Sequence, residues 1–225
     1  MLRYALHDDR KPNTLTLIPM KKILPLLALC VVLLSSFVLR PIAEGYKVGD
    51  KAADFKLKNV DGKLVSLADN KAAKGYIVVF TCNTCPFAKA YEDRIIALDK
   101  KYAPLGYPVV AINPNDAASA PGDSYAAMQS RAKEHSYTFP YLQDETQQVA
   151  HTFGATRTPH LYVLKRQGAD FVVSYVGAID DNSEDAKLVK TKYLDNAMTD
   201  IMAGKPAATS TTQAIGCGIK WKKKA

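Results

Sequence analysis

The spacing of apolar and polar positions predicts a sheet-based domain in the middle of the chain. Residues 54–59 and 64–67 alternate on either side of Asp61-Gly62, a dipeptide that strongly favours a tight β-hairpin. Two short β-branched runs, residues 76–80 (YIVVF) and 108–112 (PVVAI), are typical of strands buried on both faces. The folded part is therefore expected to open with a hairpin and to continue into central strands.

Between the two buried runs, residues 86–102 show helical spacing. The apolar positions of this segment are Phe87, Tyr91, Ile95, Ile96 and Leu98. A strand, a helix and a second strand form a βαβ unit, whose crossover is right-handed in nearly every known case. The pattern thus predicts two parallel strands joined by a helix.

The second half of the body continues to mix helices and strands. We expect a loop at 113–123, a helix at 124–135 and a shorter helix at 147–153 that Gly154 closes. Residues 160–164 and 171–176, joined across Gly168, predict a second hairpin, and residues 185–202 predict the last helix. The positions of that helix expected to face the sheet are Leu188, Tyr193, Leu194, Met198 and Met202.

Charge is unevenly distributed along the 225 residues. The net charge is +8, but residues 1–43 carry six Lys/Arg against two Asp/Glu, and the last six residues add four lysines. The body from 44 to 219 is neutral, with 20 basic and 20 acidic residues. Because phosphate binding needs basic side chains concentrated on one face, the composition argues against a nucleic-acid partner.

An apolar segment near the start indicates export. Residues 23–39 contain no charge, with Lys21 and Lys22 before them and Arg40 after them, the layout of a secretory signal or a short anchor. The best cleavage site follows Ala43, but Pro41 stands where a second small residue is expected. A cleaved signal and an uncleaved membrane anchor therefore both remain as hypotheses. We expect a periplasmic or other extracytoplasmic location, soluble or anchored to the inner membrane.

Two further features of the leader bear on its processing. Met20 begins a well-formed signal of its own, so the true start is Met1 or Met20. Cys30 lies in a sequence similar to a lipid-attachment box, although Leu29 replaces the small residue that such a box needs, and an apolar role is the alternative. The predicted division is a leader with signal or anchor at 1–43, one domain at 44–203 and a tail at 204–225 that contains Cys217.

The most informative residues are Cys82 and Cys85, separated by two residues where the strand at 76–80 ends and the helix at 86–102 begins. We expect Cys82 at or just before the helix N-terminus, where free N–H groups and the helix dipole stabilise a thiolate. Cys85 would then resolve a mixed disulfide formed at Cys82. The alternatives are a structural disulfide and half of a zinc site. A zinc site would need two more ligands, and the candidates are Cys217, His135, His151 and His160.

A second signal, Thr158-Pro159, opens the apolar strand after Gly154. With the two cysteines, it resembles the thioredoxin fold, in which this proline is cis and lies against the dithiol. Three longer stretches resemble the peroxiredoxin-like redoxins of the alkyl hydroperoxide reductase and thiol-specific antioxidant superfamily: residues 49–67, 139–164 and 175–181. The resemblance covers roughly 46–202 and implies a thioredoxin-like α/β fold, with a central mixed β-sheet flanked by helices and an N-terminal β-hairpin.

The resemblance also implies site roles. Cys82 would attack, Cys85 would resolve, and the backbone of Thr158-Pro159 would pair with an incoming substrate strand. The peroxidatic pattern Pro-x-x-x-Thr-x-x-Cys is absent, since Val79 stands three residues before Cys82. No carboxylate is identified as the base that deprotonates Cys85. Cys217, in a tail similar to the ends of some of these redoxins, is either a third redox thiol or an incidental cysteine.

These observations predict an exported thiol–disulfide oxidoreductase that acts through Cys82 and Cys85 without a cofactor or a metal. Its partners would be protein thiols or disulfides and an upstream redox donor or acceptor, with membrane association through residues 23–39. A thiol-dependent hydroperoxide reductase and a metal-binding module are the alternatives.

Overall fold

A computed structural model describes residues 45–223, and their backbone is organised around one mixed sheet. The strands are β1 Lys51–Ala52, β2 Lys56–Asn59, β3 Leu64–Ser66, β4 Gly75–Phe80, β5 Val109–Asn113, β6 Tyr141–Gln143, β7 Arg157–Thr158, β8 His160–Gln167, β9 Asp170–Gly177 and β10 Cys217–Gly218. The helices are α1 Pro86–Tyr102, α2 Tyr125–Glu134, α3 Gln148–Phe153 and α4 Tyr193–Met202. The sheet order is β1-β9-β8-β4-β5-β6-β2-β3, and β10 pairs with β7 in a separate ladder.

The centre of the sheet is β4, whose six residues are all buried. It runs parallel to β5 and antiparallel to β8, so Val79 lies opposite Ala111 on one side and Leu161 on the other. An all-apolar run suits this position because both faces are covered by other elements. The strand and helix that precede and follow the two cysteines are therefore fixed by the core.

Alternate residues of β4 contribute to two separate cores. Ile77 and Val79 pack with the apolar faces of α1, α2 and α4. Val78 and Phe80 pack on the opposite face, with the N-terminal hairpin and α3. This two-residue alternation places helices on both sides of one sheet.

Most of the predicted elements are confirmed. The β2–β3 hairpin forms across Asp61-Gly62 with Leu57 opposite Val65, and β8 pairs with β9. Helix α1 has the predicted bounds and connects the parallel strands β4 and β5. Ser124 caps α2, and Gly154 closes α3 in a left-handed conformation.

The last helix is shorter than predicted, because α4 begins at Tyr193 and not at residue 185. The carboxylate of Asp181 accepts hydrogen bonds from the backbone of Lys190 and Thr191, both at 2.9 Å, and so holds this segment outside the helix. Leu194 and Met198 face the core as predicted, whereas Leu188 and Met202 are 62% and 41% exposed. Ala197 and Ile201 complete the buried face of α4.

The tail after α4 packs along the domain, which the sequence pattern did not predict. The N–H of Val176 donates to Ser210 and the N–H of Thr212 donates to Val176, at 3.0 and 2.9 Å. Farther on, β10 lies antiparallel to β7 with Cys217 opposite Thr158, and Ile219 is buried. The final described segment is thus tied to the core on both sides of Cys217.

Within residues 45–223, no helix has the length and apolar character needed to cross a membrane. The predicted signal or anchor at 23–39, the boundary at 43, Met20 and Cys30 lie outside the described residues.

The depth to which α4 is buried is tested by a matched pair of methionines. We expect Met198→Ala to lower the free energy of unfolding by about 2–5 kcal/mol, because it leaves a cavity in the core. Met202→Ala, at the last residue of the helix where the side chain is 41% exposed, should change it by less than about 0.5 kcal/mol. Chemical denaturation of both variants measures the difference, and equal losses would contradict the assignment.

Candidate active site

The two cysteines lie in a short turn between the central strand and the first helix. β4 ends at Phe80 and α1 begins at Pro86, which is tolerated because the first helical residue needs no N–H partner. Cys85 is the N-cap of α1, with φ −70° and ψ 126°. Cys82, expected at or just before the helix N-terminus, lies in the turn that leads into it, three residues before this N-cap.

Both thiols are free and buried, each with 4% of its surface exposed. They meet at Thr158, whose bond to Pro159 is cis, as the resemblance implied. A hydrogen bond of 3.2 Å joins Cys82 Sγ and Thr158 Oγ1, and in its thiol form Cys85 Sγ donates to the Thr158 carbonyl, also at 3.2 Å. The structure thus brings the predicted residues of the two motifs together.

The surroundings of the two sulfurs place the negative charge on Cys85. The Cys82 thiol, as a hydrogen-bond donor, has the largest effect and lowers the pKa of Cys85, against an opposing effect of burial. The thiol and N–H of Cys217 and the N–H of Ala88 add to the stabilisation of this thiolate. The same hydrogen bond, followed by burial, raises the pKa of Cys82. This order of the two pKa values is the reverse of the expected one.

A buried carboxylate, Asp123, holds the two residues between the cysteines. Its Oδ1 accepts from the N–H of Asn83 at 2.6 Å, and its Oδ2 accepts from Thr84 Oγ1 at 2.7 Å. The amide of Asn115 donates to the same Oδ2 at 2.8 Å. From the other side, the Tyr141 hydroxyl donates to the side chain of Asn83 at 2.9 Å.

Sequence reasoning missed Asp123 and Tyr141. A usable signal existed, because β4 and β5 were expected to be parallel and the loops that follow parallel strands meet at one edge of a sheet. The loop at 113–123 follows β5, as the turn of the cysteines follows β4. Its polar residues were therefore placed to meet Asn83 and Thr84.

A second buried carboxylate, Glu92 of α1, lines a small internal cavity together with Cys82. Arg131 donates to both of its oxygens at 2.8 and 2.7 Å, and His135 lies at 3.2 Å. The hydroxyl of Tyr137 also donates to Glu92. Glu92 is thus a carboxylate on the inner side of Cys82, which sequence analysis did not identify.

The third thiol, Cys217, joins the same cluster from the tail. It packs against Cys82, Cys85 and Ala88 and is itself half-buried. β10 occupies the edge of Thr158 that the resemblance implied for an incoming substrate strand. The substrate edge is therefore filled by the chain's own tail.

The histidines considered as metal ligands lie in three different environments. His135 contacts Glu92, and His151 stacks on Trp221 with ring centres 4.2 Å apart. Burial lowers the pKa of His160 to about 4, so that side chain is neutral at pH 7. Over residues 45–223 there is no group of three or more His, Cys, Asp or Glu side chains arranged to hold a metal ion.

Two solved structures are similar to most of this chain. An uncharacterised conserved protein from Geobacillus kaustophilus is 37% identical, with a TM-score of 0.73 over 80% of this chain and 95% of that one. A hypothetical protein from Sinorhizobium meliloti is 33% identical, with a TM-score of 0.73 over 80% and 97%.

More distant structures share the fold. A putative thiol:disulfide interchange protein from Chlorobium tepidum is 19% identical, with a TM-score of 0.53 over 70% of this chain and 99% of that one. The fold is thus thioredoxin-like, a mixed α/β sheet flanked by helices. A comparison with curated proteins found no match.

Residues 48–180 match the model of the AhpC/TSA family, a segment that contains Cys82, Cys85 and Thr158-Pro159. The match supports a thiol-based redox function at this general level. Because it spans more than half of the chain, the protein belongs to the AhpC/TSA family.

Proposed function

We propose that the protein is an exported thiol–disulfide oxidoreductase that works through Cys82 and Cys85. One observation carries the proposal: two free, buried thiols lie in the turn before α1, and both hydrogen-bond to Thr158 beside a cis proline. A thiolate held this way is the nucleophile of disulfide exchange. The apolar segment at 23–39 supports the export part of the proposal.

In this proposal Cys85 attacks and Cys82 resolves, the reverse of the roles that the resemblance implied. The Cys85 thiolate forms a bond to one sulfur of a substrate disulfide, and the other sulfur leaves as a thiolate that takes up a proton. Cys82 then loses its proton and attacks the Cys85 sulfur, which releases the second substrate thiol. The product is a Cys82–Cys85 disulfide, and the substrate has gained two electrons and two protons.

The proton of Cys82 needs an acceptor, because burial and the Cys85 charge both disfavour a second thiolate. Glu92 lines the same internal cavity as Cys82 and is the acceptor in our proposal. Once Cys85 is in a mixed disulfide its charge is gone, so the main effect that raises the pKa of Cys82 is removed. Attack of Cys82 on the Cys85 sulfur thus becomes easier once Cys85 has formed the mixed disulfide.

Hydroperoxide reduction is the second candidate, favoured by the lowered pKa of Cys85. A hydroperoxide would oxidise Cys85 to a sulfenic acid and leave as the corresponding alcohol, and attack of Cys82 would then give the same disulfide and release water. Parallel assays of insulin reduction and of peroxide consumption separate the two candidates. Metal content after anaerobic purification tests the metal-binding alternative.

The pKa assignment predicts which cysteine is alkylated in mild acid. Since Cys82 lowers the pKa of Cys85 and the pKa of Cys82 is itself raised, iodoacetamide should label Cys85 first at pH 6. Cys82→Ala removes the main effect that lowers the pKa of Cys85, so labelling at pH 6 should slow, by about tenfold for each unit by which the pKa comes to lie above 6. Mass spectrometry locates the label, and faster labelling of Cys82 would restore the roles that the resemblance implied.

The division of roles predicts two different defects in the reduction of insulin by dithiothreitol. Cys85→Ser should reduce turnover to the uncatalysed rate, because the attacking sulfur is lost. Cys82→Ser should accumulate mixed disulfides with insulin, visible on a non-reducing gel, because nothing resolves them. Cys30→Ser serves as the cysteine control and should retain the wild-type rate. Wild-type turnover in both site variants would show that the dithiol is structural.

Asp123 should be needed for the shape of the turn. In Asp123→Asn an N–H₂ group replaces one of the two acceptor oxygens and would face a donor that the carboxylate now binds. We therefore expect the free energy of unfolding to fall by about 1–3 kcal/mol. Disulfide turnover should fall as well, because the two sulfurs are no longer held together. Asp170→Asn is the control, since Asp170 pairs with Lys51 at the surface and should matter by less than about 1 kcal/mol. A neutral effect of Asp123→Asn in both assays would refute this role.

A further inference from the structure

The tail occupies the active site in the manner of a bound substrate strand. β10 runs antiparallel to β7, with Cys217 opposite Thr158 and Gly218 opposite Arg157. The N–H of Ile219 donates to Thr156 at 3.2 Å, and Arg157 Nη1 donates to the Gly216 carbonyl at 2.9 Å. This strand therefore presents the sulfur of Cys217 to the cluster that contains Cys82 and Cys85.

The residues after Cys217 anchor the strand in this register. Lys220 is held through its backbone, which donates to Asn115 Oδ1 at 2.9 Å and accepts from Gln147 Nε2 at 2.9 Å. Trp221 stacks on His151, and the N–H of Lys222 donates to Gln147 Oε1 at 2.8 Å. The position of Cys217 is thus set by contacts on both sides and does not depend on the sulfur itself.

A close backbone contact shows that the strand is fitted to the cis peptide. A Cβ atom on Gly216 would lie 2.2 Å from the Thr158 carbonyl oxygen and 3.0 Å from the Pro159 nitrogen. A Cβ atom on Gly218, two residues later, would have no neighbour within 4 Å. Only a glycine at 216 lets the tail approach Thr158-Pro159 this closely.

Given the proposed function, on which this inference rests, the geometry points to Cys217 as a relay thiol that carries the disulfide from the buried pair to the surface. When Cys82 and Cys85 are joined, Cys217 loses its proton and attacks the Cys85 sulfur. The Cys82–Cys85 bond breaks, the Cys85–Cys217 bond forms, and Cys82 leaves as a thiolate that takes up a proton. No electrons are gained or lost in this exchange.

The second half of the relay needs an external dithiol as reductant. Its first thiolate attacks the Cys217 sulfur, and Cys85 leaves as a thiolate. Its second thiolate then displaces Cys217, which leaves as a thiolate and takes up a proton, and the reductant becomes a disulfide. Cys217 is half-buried, whereas both partners of the original disulfide are 4% exposed, so the relay moves the bond to where a protein can reach it.

Charge favours the exchange only in the oxidised protein. Burial and the neighbouring Cys85 raise the pKa of Cys217, so the tail thiol is protonated while Cys85 is a thiolate. Joining Cys85 to Cys82 removes that negative charge and with it one reason for Cys217 to keep its proton. In the reduced protein Cys217 therefore stays protonated and does not attack. In the oxidised protein its deprotonation, and so its attack on Cys85, is favoured.

The direct test maps which sulfur Cys217 bonds to, in the full chain carrying Cys30→Ser. After one equivalent of diamide and blocking of free thiols, we expect most monomers of the Cys82→Ser variant to contain a disulfide between the tryptic peptide 75–89 and the peptide of Cys217. The Cys85→Ser variant, which keeps Cys82, should give at least tenfold less. Absence of this link in Cys82→Ser, or equal yields in the two variants, would overturn the relay.

A kinetic test uses reduced thioredoxin as the protein dithiol and the oxidised chain as its substrate. Cys217→Ser and Gly216→Ala should each slow reduction at least tenfold, whereas Gly218→Ala should match the wild type. Unchanged or faster reduction of Cys217→Ser would show that the tail is only a cover, and would overturn the relay.

Insulin reduction by dithiothreitol separates this inference from the proposed function. Dithiothreitol is small enough to reduce the buried pair directly, so if the relay is correct Cys217→Ser should lose a much smaller factor of this activity than of the reduction by thioredoxin. A wild-type chain that reduces no insulin would refute the proposed function itself, whatever the tail does. Retained insulin reduction with unchanged reduction by thioredoxin would leave the dithiol function standing and refute the relay alone.

Discussion

One residue, Thr158, sets the geometry on which the rest of the site depends. Its hydroxyl contacts Cys82, its carbonyl accepts from Cys85 in the thiol form, and its backbone pairs with Cys217. One residue thus hydrogen-bonds to two sulfurs and pairs with the backbone that carries a third, from distant parts of the chain. β8 begins at His160, directly after the cis bond to Pro159, and pairs with β4, whereas Thr158 pairs with a different strand. The tail supplies that strand here, and we propose that a substrate can fill the same position.

A buried thiolate is expensive unless donors replace the water that it has lost. The site supplies these donors from independent elements: Cys82 before the turn, the N–H of Ala88 in the first turn of α1, and the N–H and thiol of Cys217 in the tail. None of them is a basic side chain, so the charge is stabilised by hydrogen bonds and not by an ion pair. This stabilisation changes with the redox state. When Cys85 forms a disulfide its negative charge is lost, and that charge no longer raises the pKa of the neighbouring thiols.

Local patterns were sufficient to predict the frame of the site, and insufficient to predict what surrounds it. The run at 76–80, the hairpin turn at Asp61-Gly62 and the bounds of α1 follow from spacing and from residues that favour turns. The strand β10 has two residues and no periodicity, so only its contact with Thr158 defines it. The late start of α4 depends on Asp181, whose carboxylate competes for backbone N–H groups. Asp123 and Glu92 required knowledge of which loops and helices meet.

The positions of the two cysteines show what sequence spacing alone leaves open. Spacing places Cys82 and Cys85 near a helix start, but it does not say which of them is the N-cap, and a shift of three residues exchanges their surroundings. Cys85 is the N-cap and lies by the N–H of Ala88, whereas Cys82 lines an internal cavity that Glu92 also lines. Both sulfurs are equally buried, so in our proposal the hydrogen-bond donors around Cys85, and not its exposure, suit it to carry the charge. Since the more exposed Cys217 packs against this cluster, a partner that reaches the site meets Cys217 first.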